Sequence, residues 1–219
     1  MLVLTETLLM RGTAPPQNRG YSVYNCQRAW RCVQKSRPHG GIAVYVRDGY
    51  VPSGCLQVCS VPKAGVLTLF FPHLTLVTCY FSPEVSNLYK SGQLHTDPLL
   101  LLQSHLHDVS ARGVPIVVMG DLNARVGAEV EQVAAVRDAP VSLVPSHIPA
   151  RVSADAKVGD WGRQLMSVLA ACGMVLLNGR APGDEQGAIT CSNRVAYKAS
   201  AGCCCLEHYY HHQLAADRL

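Results

Sequence analysis

Residues 116–125 combine a short apolar run with polar residues whose types could do chemistry. The run at 116–119 is rich in β-branched residues, which is typical of a strand covered on both faces. Gly120 then permits a sharp turn or the close approach of a ligand. Asp121 and Asn123 alternate across a leucine, so in extended geometry their side chains point in the same direction.

A carboxylate and an amide that leave the end of a buried strand together can hold a metal ion, a water molecule or a phosphate group. A turn without chemical function is the alternative, because glycine, aspartate and asparagine are all common turn residues. The local sequence favours neither interpretation, since short motifs of this kind also occur by chance. Indications from other parts of the chain therefore have to decide between them.

Two further polar residues stand where predicted strands end. Glu6 follows the apolar run at 2–5, and Tyr80 closes the run at 74–80. Glu6 is either a solvent-facing strand terminus or a second carboxylate at the same sheet edge as Asp121. Tyr80 is either a half-buried strand residue or a phenol that reaches a ligand at that edge.

Apolar runs separated by turn signals indicate the strands that would position these residues. Their predicted bounds are 2–5, 42–46, 56–61, 66–71, 74–80, 116–119, 174–177 and 188–191. Asp97 and Pro98 predict the start of a helix, and Asp160 is the predicted cap of a second helix that ends at Gly173. The order of strands, helix, strand, helix and strand predicts an α/β fold with two layers of sheet flanked by helices.

Length and composition indicate one domain with a substantial core, since the 219 residues are 48% hydrophobic and 16% charged. No apolar run approaches the roughly 20 residues of a membrane-spanning helix, and the first residues lack the features of a signal peptide. We therefore expect no membrane partner.

The formal charge of +4 permits a phosphate-bearing partner without requiring one. A basic cluster around Trp30 fits either a solvated loop or a nucleic-acid contact; it consists of Arg28, Arg31, Lys35 and Arg37.

The ten cysteines are mostly dispersed, and several lie in apolar segments. This distribution is typical of buried thiols in a reduced intracellular protein rather than of a disulfide framework. The consecutive cysteines at 203–205 lack the spacing of a zinc site.

Seven short segments, in this order and spacing, together resemble the endonuclease/exonuclease/phosphatase superfamily. The likeness is strongest to the apurinic-type endonuclease domain of non-LTR retrotransposons. It covers residues 1–191 as a partial domain, and residues 192–219 are predicted to be a divergent tail, disordered or non-homologous. The matching segments are 4–7, 40–44, 78–83, 118–125, 162–165, 177–180 and 187–191.

The resemblance implies a four-layer α/β-sandwich and the hydrolysis of phosphodiester bonds in DNA, assisted by Mg²⁺ or Mn²⁺. Glu6 matches the glutamate that holds the metal, and hard oxygen ligands suit such an ion. Asp121 matches the aspartate that positions or deprotonates the attacking water. Asn123 and Tyr80 match the residues that contact the phosphate, and an amide can donate a hydrogen bond there without adding negative charge.

Two parts of the family pattern are not found in this sequence. The family has an asparagine-bearing strand before the one that ends at Glu6, and it closes with a serine–aspartate pair and an Asp-His pair. We therefore expect a fragment, truncated at both ends and incomplete at the sheet edges, with weak or no nuclease activity. A non-catalytic remnant and a phosphatase of the same superfamily are the alternatives. The likeness also implies a polyprotein with a reverse transcriptase, acting in the nucleus if chromosomal DNA is the substrate.

Overall fold

The computed structural model describes residues 1–9, 12–27, 40–52, 54–84, 89, 97–129, 149–188 and 206–208. The basic cluster around Trp30, most of the predicted strand at 188–191 and the predicted domain boundary after residue 191 lie outside the described residues.

Nine described strands form two sheets. The three-stranded sheet is antiparallel, with the order β1-β3-β2; its strands are β1 (Leu2–Thr5), β2 (Tyr21–Cys26) and β3 (Ile42–Arg47). The six-stranded sheet has the order β4-β5-β6-β7-β9-β8; its strands are β4 (Gln57–Val61), β5 (Val66–Phe70), β6 (Thr75–Tyr80), β7 (Ile116–Asp121), β8 (Met174–Leu176) and β9 (Leu206–His208). In this sheet β6 and β7 run parallel, whereas the other described neighbours are antiparallel.

The two sheets pack face to face, and helices α1 (Pro98–Ser110) and α2 (Asp160–Ala171) cover the other face of the larger sheet. One buried cluster lies between the sheets and includes Val44, Leu69 and Tyr80. A second cluster joins the helices to the larger sheet and includes Leu102 and Leu165. The chain is therefore an α/β-sandwich with two packed sheets, as predicted. Among the described residues, no helix lies on the outer face of the three-stranded sheet, so three layers of the sandwich are described.

The first helix begins where the sequence predicted. The Asp97 carboxylate accepts a hydrogen bond from the backbone N–H of Leu100 at 2.8 Å, and proline occupies the first turn. The second helix differs in its cap, because Gly159, and not Asp160, is its N-cap residue. Asp160 lies inside the first turn, where its charge is favourable to the helix dipole. The backbone N–H of Gly159 instead donates to the carbonyl oxygen of Arg125 at 2.8 Å, which fixes the helix start.

Two strands were not predicted from the sequence. Strand β2 pairs with β3 along all six residues, but it lies at a sheet edge and only Cys26 in it is fully buried, so its apolar pattern is weak. Strand β9 has three residues and pairs with β7 and β8. In the described part of the chain, no helix has the length and apolar character needed to cross a membrane.

Candidate functional site

The pairing of β6 with β7 brings Tyr80 and Asp121 side by side. The two strands are parallel, and these two residues are the last pair of their register. Paired residues in a sheet lie on the same face. That face contacts the three-stranded sheet, because Met119, two residues before Asp121, packs into the cluster between the sheets. A phenol and a carboxylate are thus placed at one edge of the inter-sheet core.

Gly120 is required for this pairing to continue to the end of β7. Its φ angle is +134°, and a Cβ atom built on it would lie 2.0 Å from the carbonyl oxygen of Cys79. Residues with a side chain rarely adopt such a backbone conformation. The backbone N–H of Phe81 then donates to the carbonyl oxygen of Asp121 at 2.9 Å, so the ends of the two strands stay joined.

The chain turns at Asn123, so the alternation expected for extended geometry does not apply there. Asn123 has a φ of +48°, and its backbone N–H donates to the Asp121 carboxylate at 3.0 Å. Asparagine tolerates this left-handed conformation better than most residues. Its side-chain Nδ2 donates to the carbonyl oxygen of Phe81 at 2.7 Å. The segment is therefore a turn, and the turn orients both polar side chains.

Phe81, whose carbonyl oxygen accepts the hydrogen bond from the Asn123 side chain, is held in place by its packing. It is 1% exposed, and its ring meets that of Trp161 edge-to-face with the centroids 6.5 Å apart. The ring of Tyr89 contacts Trp161 in a similar way, and its hydroxyl donates to the carbonyl oxygen of Ser82 at 2.8 Å. The amide of Asn123 is thus held by the backbone of a residue whose ring is buried.

Glu6 joins this edge from the other sheet. It follows β1 with a φ of +52°, it is exposed, and its carboxylate accepts a hydrogen bond from the hydroxyl of Tyr80. Tyr80 itself is only 4% exposed. Since β1 and β6 belong to different sheets, the bond links the two sheets where Asp121 also lies. The structure therefore brings together Glu6, Tyr80 and Asp121, with Asn123 in the adjoining turn; their chemical roles remain predictions.

Next to Glu6, the segment after β1 is held by close backbone contact. The backbone N–H of Thr7 donates to the carbonyl oxygen of Gly41 at 3.3 Å. A Cβ at Gly41, whose φ is +92°, would lie 2.5 Å from the Thr7 hydroxyl oxygen. That hydroxyl is buried and has no hydrogen-bond partner among the described residues. Glu6 is thus placed by a glycine that leaves no room for a side chain.

The electrostatics of the site are unfavourable to the ionised form of Asp121. Burial raises the pKa of Asp121, the N–H of Asn123 opposes this rise, and the negative charge of Glu6 adds to it. Two acids therefore lie close enough for one to disfavour ionisation of the other. A group with a raised pKa is a better base toward water than an ordinary aspartate.

Such an arrangement fits a divalent cation. A cation would relieve the repulsion between Glu6 and Asp121, and both supply the hard oxygen atoms that Mg²⁺ and Mn²⁺ prefer. Among the described residues, no cluster of three or more histidine, cysteine, aspartate or glutamate residues is present. A set of two carboxylates suits Mg²⁺, which keeps several water ligands and binds through one or two carboxylates plus substrate phosphates.

A second charged pair, which the sequence did not predict, lies two residues after Asn123. Arg125 binds Asp155 through two hydrogen bonds, from Nε at 2.9 Å and from a terminal nitrogen at 2.7 Å. The partners are 30 residues apart, and the loop that carries Asp155 has no periodic pattern. The segment 162–165 of the family resemblance contributes through packing, because a Cβ at Gly162 would lie 1.8 Å from the carbonyl oxygen of Arg125.

The cavity between α1 and α2, of about 480 Å³, is separate from this site. It lies near Ile116 and Met174, at the start of β7 and β8, whereas Asp121 is at the end of β7. None of the four predicted site residues lines it.

Comparison with known proteins identifies the fold. A search of family models and a search of curated protein sequences each found no match. Among solved structures, an AP endonuclease from Archaeoglobus fulgidus matches with a TM-score of 0.53 and 16% identity, over 94% of this chain and 75% of that one. The endonuclease domain of TRAS1, a telomere-specific non-LTR retrotransposon, matches with a TM-score of 0.39 and 17% identity, over 87% of this chain and 68% of that one.

The first of these comparisons confirms the predicted resemblance at the level of the fold. The chain has the α/β-sandwich fold of an AP endonuclease. At this level of identity the likeness defines the architecture, and the activity has to be argued from the site.

Proposed function

We propose that the chain is a metal-dependent phosphodiester hydrolase, of the retroelement endonuclease type, that cuts one strand of DNA. The observation that carries the proposal is the meeting of Glu6, Tyr80 and Asp121 at one edge of the two sheets, where Tyr80 donates to Glu6. This edge belongs to a fold shared with an AP endonuclease. Acidic oxygens beside a phenol and an amide suit a phosphate substrate with a bound cation.

In this proposal, Glu6 holds Mg²⁺ or Mn²⁺, with Asp121 as a second nearby carboxylate. The ion, when bound, neutralises negative charge that develops on the phosphate. Asp121 orients and deprotonates the attacking water, and its raised pKa supports this role. Tyr80 is held in place by its hydrogen bond to Glu6 and lies beside the phosphate.

Asn123 is the phosphate-holding residue of the proposal. A side-chain amide has two N–H donors, and one of them is directed to the carbonyl oxygen of Phe81. That bond fixes the amide plane, and the second N–H donates to a phosphate oxygen in the proposed complex. A fixed donor costs less reorganisation during the reaction than a mobile one.

The activity is expected to be weak, because the described residues bring two carboxylates to this edge and no cluster of three or more metal-binding side chains, so few protein ligands hold the ion. The same observation favours a second candidate, a remnant of such a domain that binds the ion without catalysis. A working relative would act within a polyprotein with a reverse transcriptase, on chromosomal DNA in the nucleus.

Nicking of supercoiled plasmid in the presence of Mg²⁺ tests the proposal. We expect slow conversion to the open circle that requires the ion and disappears in Asp121→Asn. Asp108→Asn is the control, since Asp108 is an exposed acid on α1. Nicking that is unaffected by Asp121→Asn would contradict the assignment. No nicking at any concentration of Mg²⁺ would favour the remnant, and faster hydrolysis of a small phosphomonoester than of plasmid would favour a phosphatase.

A further inference from the structure

We propose that the Arg125–Asp155 ion pair is a positioning device, which fixes the turn that carries Asn123 against the loop at 151–159 and so sets the place of the phosphate-holding amide. The inference rests on the proposed function for its catalytic readout. Neither residue is assigned to contact the substrate. They act through Asn123.

The ion pair has the geometry of a rigid fork. Two nitrogens of Arg125 meet the two oxygens of Asp155 at 2.9 and 2.7 Å. Such two-point pairing restrains orientation as well as distance. Asp155 is itself fixed, because one of its oxygens also accepts the backbone N–H of Lys157 at 3.0 Å. The pKa of Asp155 is lowered chiefly by the hydrogen bond from Arg125, as expected for a well-formed pair.

The backbone around Arg125 is docked on the same loop. Its carbonyl oxygen accepts the N–H of Gly159 at 2.8 Å and lies against Gly162, where a Cβ would approach to 1.8 Å. The next residue, Val126, forms an isolated β-bridge with Val158. The turn is therefore held by backbone contacts near residues 158–162 and by the ion pair at residue 155.

The far side of the loop is anchored to a third segment. The backbone N–H of Val152 donates to the carbonyl oxygen of Gly179 at 3.2 Å, and that of Ala154 donates to Gly187 at 2.9 Å. A Cβ at Gly179 or Gly187 would lie 1.8 or 2.0 Å from the carbonyl oxygen of Val152. The loop is thus packed between two turns, and Asp155 connects it to the one with Asn123.

Asn123 is sensitive to a displacement of this turn because it is two residues from Arg125. Its φ of +48° and its bonds to Asp121 and Phe81 place the amide accurately only while the backbone is held. Misplacing a binding group by about 1 Å can cost on the order of 100-fold in rate. The alternative role for Arg125 is direct contact with DNA, but its charge is directed to Asp155, which favours positioning.

The first test measures kcat and KM for nicking separately in variants of the ion pair. For Asp155→Asn and Arg125→Gln we expect kcat for nicking to fall by about 10-fold to 100-fold, with KM changed less than about threefold. The double variant Arg125→Asp, Asp155→Arg should recover part of the loss. Asp160→Asn is the matched control, because it removes the neighbouring Arg163–Asp160 ion pair, which is more exposed and lies on α2; we expect no change in kcat. An effect confined to KM, with a changed salt dependence, would overturn the inference in favour of DNA contact.

The second test does not depend on catalysis, so it stands even if the proposed function fails. In the NMR spectrum, the side-chain amide signal of Asn123 should shift or broaden in Asp155→Asn and stay unchanged in Asp160→Asn. An unchanged Asn123 signal in a folded Asp155→Asn variant would overturn the inference whether or not the wild-type protein nicks DNA. Absence of nicking with a perturbed Asn123 signal would contradict the proposed function alone.

Discussion

The site has two halves, and the pKa of the aspartate in each is shifted in opposite directions. In the strand-end half, formed by Glu6, Tyr80 and Asp121, burial and a neighbouring acid raise the pKa of Asp121. In the loop half, formed by Arg125 and Asp155, a guanidinium group lowers the pKa of its partner. The folded chain therefore disfavours the charge of one aspartate and favours that of the other, although the turn with Asn123 and Arg125 links the two.

This difference separates reactivity from support. A buried carboxylate near a second acid is unfavourable for folding, but it suits cation binding and proton transfer. A paired carboxylate with backbone donors has little capacity for either, but it holds loops in place. We infer that the contacts of the loop half stabilise the fold. They thereby offset the cost of the unfavourable arrangement in the strand-end half.

The largest expected effect concerns Asp121. A carboxyl group whose pKa is raised by folding contributes stability below its unfolded pKa, and this contribution is lost as the pH rises through the folded pKa. Above its folded pKa the ionised Asp121 thus costs stability, which the neutral Asp121→Asn variant avoids. We predict a loss of nicking by about 10²-fold to 10⁴-fold, with a melting temperature in metal-free buffer equal to or above that of the wild type. A melting temperature several degrees lower would mean that Asp121 is a structural residue.

The second prediction addresses the packing of the loop half. Gly162→Ala would place a Cβ 1.8 Å from the carbonyl oxygen of Arg125. Relief of such overpacking costs about 1–3 kcal/mol, which we expect as a lower urea midpoint. The control is Gly159→Ser, where the Cβ would have its nearest neighbour at 3.9 Å and serine is a favourable N-cap. Equal stability of the two variants would show that the backbone at Arg125 can move away from the added Cβ without loss of unfolding free energy.

The sequence predicts the strand-end half better than the loop half, for a physical reason. Glu6, Tyr80 and Asp121 each follow an apolar run, and a strand end is a local signal. Pairing between parallel β6 and β7 then brings two of them together. The Arg125–Asp155 pair leaves no such signal, because it joins residues far apart in the chain and its loop is held by backbone hydrogen bonds that any residue type can make.

The fold shows the same distinction. The fully buried strand β6 was predicted almost to the residue, since a mostly apolar run with β-branched residues marks it. The half-exposed edge strand β2 was not, because its pairing depends on β3 rather than on its own pattern. The Gly159 cap of α2 was also missed, since it results from contact with the backbone of Arg125.

The smallest expected effect is the pH dependence of the loop half. A carboxyl group whose pKa is lowered by folding contributes stability above its unfolded pKa and loses that contribution as the pH falls through the folded pKa. Wild-type protein should therefore exceed Asp155→Asn in unfolding free energy by on the order of 1 kcal/mol at pH 7, as for a partly exposed pair. In urea denaturation the difference should shrink below pH 3.8, the ordinary value for this acid. If the difference in unfolding free energy did not depend on pH, it would come from the packing and hydrogen bonds of residue 155 rather than from its charge.

Calorimetric titration with Mn²⁺ and Mg²⁺ tests the proposed metal site at Glu6 without requiring the chain to be an active nuclease. We predict binding of one ion to the wild-type protein, a marked loss of affinity in Glu6→Gln, and unchanged affinity in Asp108→Asn. Binding that persists unchanged in Glu6→Gln, or no binding at millimolar ion, would contradict the assignment of this edge of the sandwich as a metal-dependent phosphodiesterase site.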